Sequence, residues 1–184
     1  MKVIVGISGA SGIEYGIELL KALKKAGAET FLVMSEWAEK IVEIETGYKI
    51  SEVKGFADHV YGSNDMSAPI ASSSFLVDAM VVIPASIKTV SEITTAHTGT
   101  LLTRCADIML KMRRRLIVCP RETPLSTPAL DTMHRLSLAG AVILPLSPGF
   151  YHKPKDIKDL YKFITSKVLD VLGIDNSEIR RWGD

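Results

Sequence analysis

The chain has 184 residues, 47% apolar and 23% charged, which is enough for one domain with a real core and unlike a disordered segment. Its 22 basic and 21 acidic residues leave a formal charge of +1, which removes any general electrostatic case for nucleic acid or an anionic membrane as partner. Cys105 and Cys119 stand outside any CxxC pair and no run reaches the roughly 18 apolar residues of a membrane span, so a soluble protein of the reducing cytoplasm is expected.

The opening reads as strand, turn and helix. Lys2 to Ser8 is a β-branched run suited to a buried parallel strand, and it is too short for a signal peptide. Gly9 to Gly12 is the turn. Ile13, Ile17, Leu20 and Leu23 then recur at helical spacing, with Glu14, Glu18, Lys21 and Lys24 between them, until Gly27 stops the helix. Glu29 to Met34 is a second strand and Ser35 an N-cap for the next helix, which makes a right-handed βαβ unit. Lys49 to Asn64 reads as a connection with short elements. Ala79 to Pro84 is a strand, followed by helical segments over Thr89 to His97 and Thr100 to Met112. The basic run Lys111 to Arg115 is expected as a solvated helix end. Leu116 to Cys119 is another strand, Pro128 to Ala139 a helix and Ala141 to Leu144 the last strand. The final helix, from Lys155 to Leu172, has the apolar face Ile157, Leu160, Ile164, Val168 and Val171, and Gly173 ends it. Strands alternating with helices predict a doubly wound, mostly parallel α/β sheet, Rossmann-like or flavodoxin-like, in a single domain over 1–184.

Ligands of such a sheet bind beyond the carboxyl ends of its strands, so the residues just after each strand carry the functional information. After the first strand, Gly6-Ile7-Ser8-Gly9-Ala10-Ser11-Gly12 can bring backbone amides and a helix N-terminus to a phosphate, or form a plain tight turn. The dinucleotide pattern G-x-G-x-x-G is incomplete, because Ile7 stands where its first glycine belongs. Ser35 follows the second strand, with Glu36 beside it. Ser86, Ile87, Lys88 and Thr89 follow the third and can cap a helix or present two hydroxyls and an ammonium to a ligand. Arg121 and Glu122 lie between Pro120 and Pro124, as a rigid charged pair of a site or as a surface salt bridge. Pro145 to Tyr151 delivers two aromatics after the last strand; Tyr151 can bond an anion or be half-buried packing. Pro69 to Phe75 is a polar patch that can line a pocket or turn the chain. His59, His97, His134 and His152 lack metal-ligand spacing, and no GxSxG elbow is present. The cysteines fall within a helix and a strand, where they pack.

These loops, in this order, resemble those of the flavin prenyltransferases of the UbiX type, within the flavin-containing decarboxylase group. The resemblance rests on GISGASG, PIASSSF, PASIKT, PRETPL, PLSPGFYHKP and the VLDVLGI helix, which together span nearly the whole chain. It implies that Gly9, Ala10, Ser11, Ser35, Ser86, Ile87, Lys88, Thr89 and Arg121 contact FMN. It implies Glu122 as acid/base, Ser11 as a proton relay and Glu45 as a carboxylate near the site. Tyr151 and Lys167 match positions that hold a prenyl phosphate. Arg104 and Lys111 look like further basic members of that set, Lys111 from a neighbouring subunit. Trp182 resembles a residue that closes over the pocket. The implied reaction joins the dimethylallyl group of dimethylallyl phosphate to N5 and C6 of reduced FMN, without a metal. The implied recipient is a UbiD-type decarboxylase, and the implied assembly a dodecamer.

Two positions depart from the family pattern. Ser73 replaces a common glycine. Lys167 replaces a usual arginine, keeping the charge but losing the bidentate fork. Three other readings compete. A flavin-dependent cysteine decarboxylase needs a PxMNxxMW-like motif, which the chain lacks. A nicotinamide oxidoreductase draws on the glycine turn and Glu36. A non-catalytic FMN carrier has no use for a second phosphate site.

Overall fold

The computed structural model describes residues 1–176. Among them, six strands alternate with seven helices: β1 (Lys2–Ile7), α1 (Ile13–Lys25), β2 (Glu29–Met34), α2 (Glu36–Glu45), α3 (Ile50–Lys54), β3 (His59–Tyr61), β4 (Ala79–Ala85), α4 (Ile87–Thr94), α5 (Leu101–Lys111), β5 (Arg115–Pro120), α6 (Thr127–Leu138), β6 (Val142–Ile143) and α7 (Ile157–Leu172). The sheet order is β3-β2-β1-β4-β5-β6, and every pairing is parallel. This is the Rossmann order rather than the flavodoxin one.

Both faces of the sheet are covered, which is why its central strands read as unbroken apolar runs. Val3, Val5 and Ile7 point to one face, where α1, α2 and α7 pack with Ile17, Leu20, Val42, Ile164 and Val168. Ile4, Met80 and Val82 point to the other, against α4, α5 and α6 with Val90, Leu102, Cys105 and Leu136. Helix α1 comes especially close to the sheet at Gly16. A Cβ there would lie 2.7 Å from the Ile83 carbonyl oxygen and 2.9 Å from Ile7 Cδ1. Gly16 thus provides the close helix-to-strand contact that follows the phosphate turn in dinucleotide folds.

Three expectations need correction. The basic run after α5 is not merely solvated: Arg114 donates to the carbonyls of Phe75 (3.1 Å) and Ser73 (3.2 Å), and Arg115 to that of Leu172 (2.7 Å). The last of these places a cation on the C-terminal carbonyls of α7, where the helix dipole favours it. The apolar face of α7 is divided. Ile164 and Val168 join the core with Phe163, Leu169 and Leu172, whereas Ile157 is 60% exposed. Finally, β6 is two residues long, shorter than its apolar run, because at the sheet edge it has one partner strand.

Gly16→Ala should destabilise the fold by about 1–3 kcal/mol through overpacking against backbone that cannot yield. Chemical denaturation checks this, and a wild-type midpoint would show that α1 can lift away freely.

Candidate active site

The strand order reverses at β1. The chain moves from β1 to β2 and β3 on one side, then crosses back to β4, β5 and β6 on the other. Loops leaving β1 and β4 therefore diverge, and a crevice opens between them at the carboxyl end of the sheet.

Ser8, just after β1, fastens the two sides of that crevice. Its buried hydroxyl donates to the Pro84 carbonyl (3.0 Å) and accepts from the Ser86 amide (2.8 Å), while its own amide donates to Pro84 (3.1 Å). Neighbouring loops are tied on by backbone bonds from Ser35 to Ile7 (2.9 Å), Arg121 to Ala85 (3.1 Å) and Leu146 to Pro120 (3.2 Å). Ser8 was not among the residues expected at the site. Its signal was a hydroxyl ending an otherwise apolar strand.

The glycine turn has specific steric reasons. A Cβ on Gly9 would lie 2.6 Å from Trp37 Cβ, and Gly12 has φ of 97°. Gly12 gives α1 no side-chain cap. Instead Glu45, at the end of α2, turns its carboxylate onto the helix start: Oε2 accepts from the Gly12 amide (2.8 Å) and lies 3.5 Å from the Ile13 amide. The helix start thus already holds an anion, as its free N–H groups and dipole favour. Ser11 offers its carbonyl oxygen to Arg121 Nε at 3.1 Å. Ser11, Glu45 and Arg121 thus meet at one cleft of about 500 Å³, walled by Tyr15, Leu146, Ile157, Leu160 and Tyr161. The Tyr15 and Tyr161 rings meet edge to face at 4.9 Å, and burial raises both phenol pKa values, which keeps them neutral. The exposure of Ile157 is explained here: it faces the cleft rather than the core.

A second cleft of about 350 Å³ shares Arg121 and Leu146 and adds Glu122, Thr123, Leu125 and Met133. Glu122 is exposed and its carboxylate accepts from the Thr123 amide (3.2 Å). Among the described residues no ion pair joins it to Arg121, which contradicts the surface salt bridge. The two side chains bond to different partners, Arg121 to the Ser11 carbonyl and Glu122 to the Thr123 amide, while both line this cleft.

Ser35 and Ser86 serve as helix caps, accepting from Ala38 (3.1 Å) and Thr89 (3.3 Å). The Ser86 and Thr89 hydroxyls lie 3.1 Å apart beside Ile87 at the start of α4. Lys88 points outward to Glu92 (2.8 Å), with a side chain 77% exposed. Pro69 to Phe75 is a turn in which the Ser72 and Ser74 hydroxyls bond each other at 2.8 Å.

The expected phosphate-holding residues form two groups. Tyr151 packs on Phe163 (ring centres 5.7 Å apart), and the Lys167 ammonium lies 5.6 Å from the same ring and 3.8 Å from Asp170. Arg104 and Lys111 share Asp107 (3.8 and 3.5 Å) on α5. Helices α5 and α7 pack on opposite faces of the sheet, so one chain does not assemble the four residues in one place. Trp182 lies outside the described residues. Among those described, no three His, Cys, Asp or Glu side chains are placed to hold a metal ion, and no helix is long and apolar enough to cross a membrane. Burial pushes the Cys105 thiol up to about 12 and Cys119 higher still, which keeps both as protonated thiols packed in the core.

Residues 1–169 match the model of the flavoprotein family. The chain is 48% identical, over 99% of its length and 100% of the relative's, to the flavin prenyltransferase UbiX of Thermoplasma acidophilum. Its structure superposes with a TM-score of 0.98 on AnUbiX (PadA1) crystallised with FMN and dimethylallyl pyrophosphate, at 43% identity over 100% of this chain and 97% of that one. It superposes with a TM-score of 0.97 on the dodecameric FMN-dependent Ubix-like decarboxylase from Escherichia coli O157:H7, at 41% identity over the whole of both chains.

Ser8→Ala removes the hydroxyl on which Ser86 N–H depends and should cost about 1–3 kcal/mol, the penalty for a buried unsatisfied donor. Urea unfolding measures it; an unchanged midpoint would show that other bonds hold the crevice.

Proposed function

Because the chain belongs to the flavoprotein family, and within it to the flavin prenyltransferases, we propose that it transfers the dimethylallyl group of dimethylallyl phosphate to N5 and C6 of reduced FMN. The observation that supports this most is the convergence of Ser11, Glu45 and Arg121 on one cleft beside the turn after β1, with Glu122 in the cleft next to it.

The residues present fit a flavin. Gly9, Ala10 and Ser11, with Ser35, Ser86, Ile87, Thr89 and Arg121, lie in the loops at the carboxyl ends of β1, β2, β4 and β5, whereas Lys88 turns away to Glu92 and Glu45 caps the start of α1. When bound, reduced FMN supplies the nucleophile. Arg121, anchored through Nε to Ser11, is held to orient the flavin. Glu122, which lines the second cleft, serves as the base that takes a proton during ring closure. Ser11 passes a proton toward the departing phosphate. Tyr15, Leu146, Leu160 and Tyr161 exclude water from an allylic cation.

Tyr151, Lys167, Arg104 and Lys111 neutralise the phosphate as it leaves, so the charge is met without a metal ion. Lys167 does so as a point charge, having no guanidinium fork. Since α5 and α7 lie on opposite faces of the sheet, the four meet through contact between copies of the chain. A homo-oligomer, dodecameric like the solved relative, supplies that contact. The product serves a UbiD-type decarboxylase, and two buried unpaired thiols suit work in the cytoplasm.

Anaerobic incubation with reduced FMN and dimethylallyl phosphate or diphosphate, followed by mass spectrometry of the extracted flavin, should show a gain of one five-carbon unit. Glu122→Gln should still bind FMN but lose about 10²–10⁴ in kcat, the usual contribution of a general base. Unmodified flavin with both donors would favour a cysteine decarboxylase or an FMN carrier.

A further inference from the structure

His152 follows Tyr151 in the segment between β6 and α7. Its ring lies flat on Phe163, with centroids 5.2 Å apart and an interplanar angle of 20°. Tyr151 meets both rings edge-on, at 5.9 Å and 81° from His152 and at 5.7 Å and 75° from Phe163. The Lys167 ammonium lies 5.6 Å from the Phe163 centroid. Gly149 permits this approach, since a Cβ there would lie 2.9 Å from Phe163 Cζ. One aromatic cluster therefore sets the positions of Tyr151 and Lys167, the two groups assigned to the donor phosphate.

Packing accounts for an aromatic ring at 152 but not for an imidazole. Both ring nitrogens are buried, and among the described residues neither has a hydrogen-bond partner. A neutral imidazole carries one N–H donor and one acceptor, and burying both unpaired is unfavourable. Phenylalanine would keep the stack without that penalty. An unsatisfied buried polar group calls for an explanation that packing alone does not supply. Tyr151 and Lys167 flank the same Phe163 ring on which His152 stacks. Lysine offers a point charge where a guanidinium would offer a fork, which leaves room for another directed donor.

We propose that His152 is a third ligand of the donor phosphate, its ring N–H turning to a phosphate oxygen beside Tyr151 and Lys167 when the donor binds. This rests on the assignment of those two residues to the donor. In the full-length protein, His152→Phe should keep or raise the melting temperature, because it removes buried unpaired atoms while preserving the stack. It should bind FMN as the wild type does, yet lose about ten-fold in kcat/KM for dimethylallyl phosphate, mostly through KM, as expected for one hydrogen bond to an anion. His152→Gln, which retains an N–H, should recover part of that loss. Wild-type KM in His152→Phe overturns the proposal. So does a lowered melting temperature with unchanged KM, which assigns the ring to packing. A wild-type protein that prenylates FMN with neither donor would overturn the functional reading itself, and this inference with it. An active wild type alongside an unaffected His152→Phe overturns the inference alone.

Discussion

One buried hydroxyl, that of Ser8, ties together the two sides of the crevice at the carboxyl end of the sheet. A parallel sheet in this order pulls apart at its carboxyl end, because the chain leaves β1 in one direction and β4 in the other. Ser8 bridges that divergence with bonds to Pro84 and Ser86. The start of α4, the turn into α1 and the loop after β5 are positioned by this bridge or by backbone bonds adjoining it. Arg121 extends the same lattice to Ser11 across 110 residues of sequence. The crevice is thus preorganised by bonds that use no ligand.

The fold was legible because its central strands are buried on both faces and its helices carry clear apolar stripes. Helix ends were legible from local chemistry, as with Ser35 at the start of α2 and Gly27 and Gly173 at two C-termini. What the sequence concealed depends on contacts distant along the chain. Gly9 reads as a phosphate turn, yet its tightest contact is Trp37 on α2. Arg115 reads as a solvated charge but reaches α7, 57 residues away. Ile157 reads as core by periodicity and instead faces the cleft, since periodicity identifies an apolar face without saying what will cover it.

The site was legible in composition but not in geometry. Ser11, Glu45 and Arg121 converge on one cleft. Arg121 and Glu122, adjacent in sequence, bond to Ser11 and Thr123 rather than to each other. Tyr151 and Lys167 come together on Phe163, whereas Arg104 and Lys111 sit behind the sheet. A list of basic residues conveys nothing of that separation, which follows from the alternation of helices between the two faces.

That separation underlies the proposal that the chain is catalytic only in contact with its own copies. Subunit complementation tests it most directly. Lys111→Ala and Lys167→Ala proteins, each inactive alone, would be co-expressed under separate tags, purified as mixed assemblies and assayed for prenylated flavin. The account predicts activity in the mixed assemblies, since some sites then draw Lys111 from one copy and Lys167 from another. Mixed assemblies as inactive as either parent would contradict it and place all four residues in a single chain's site.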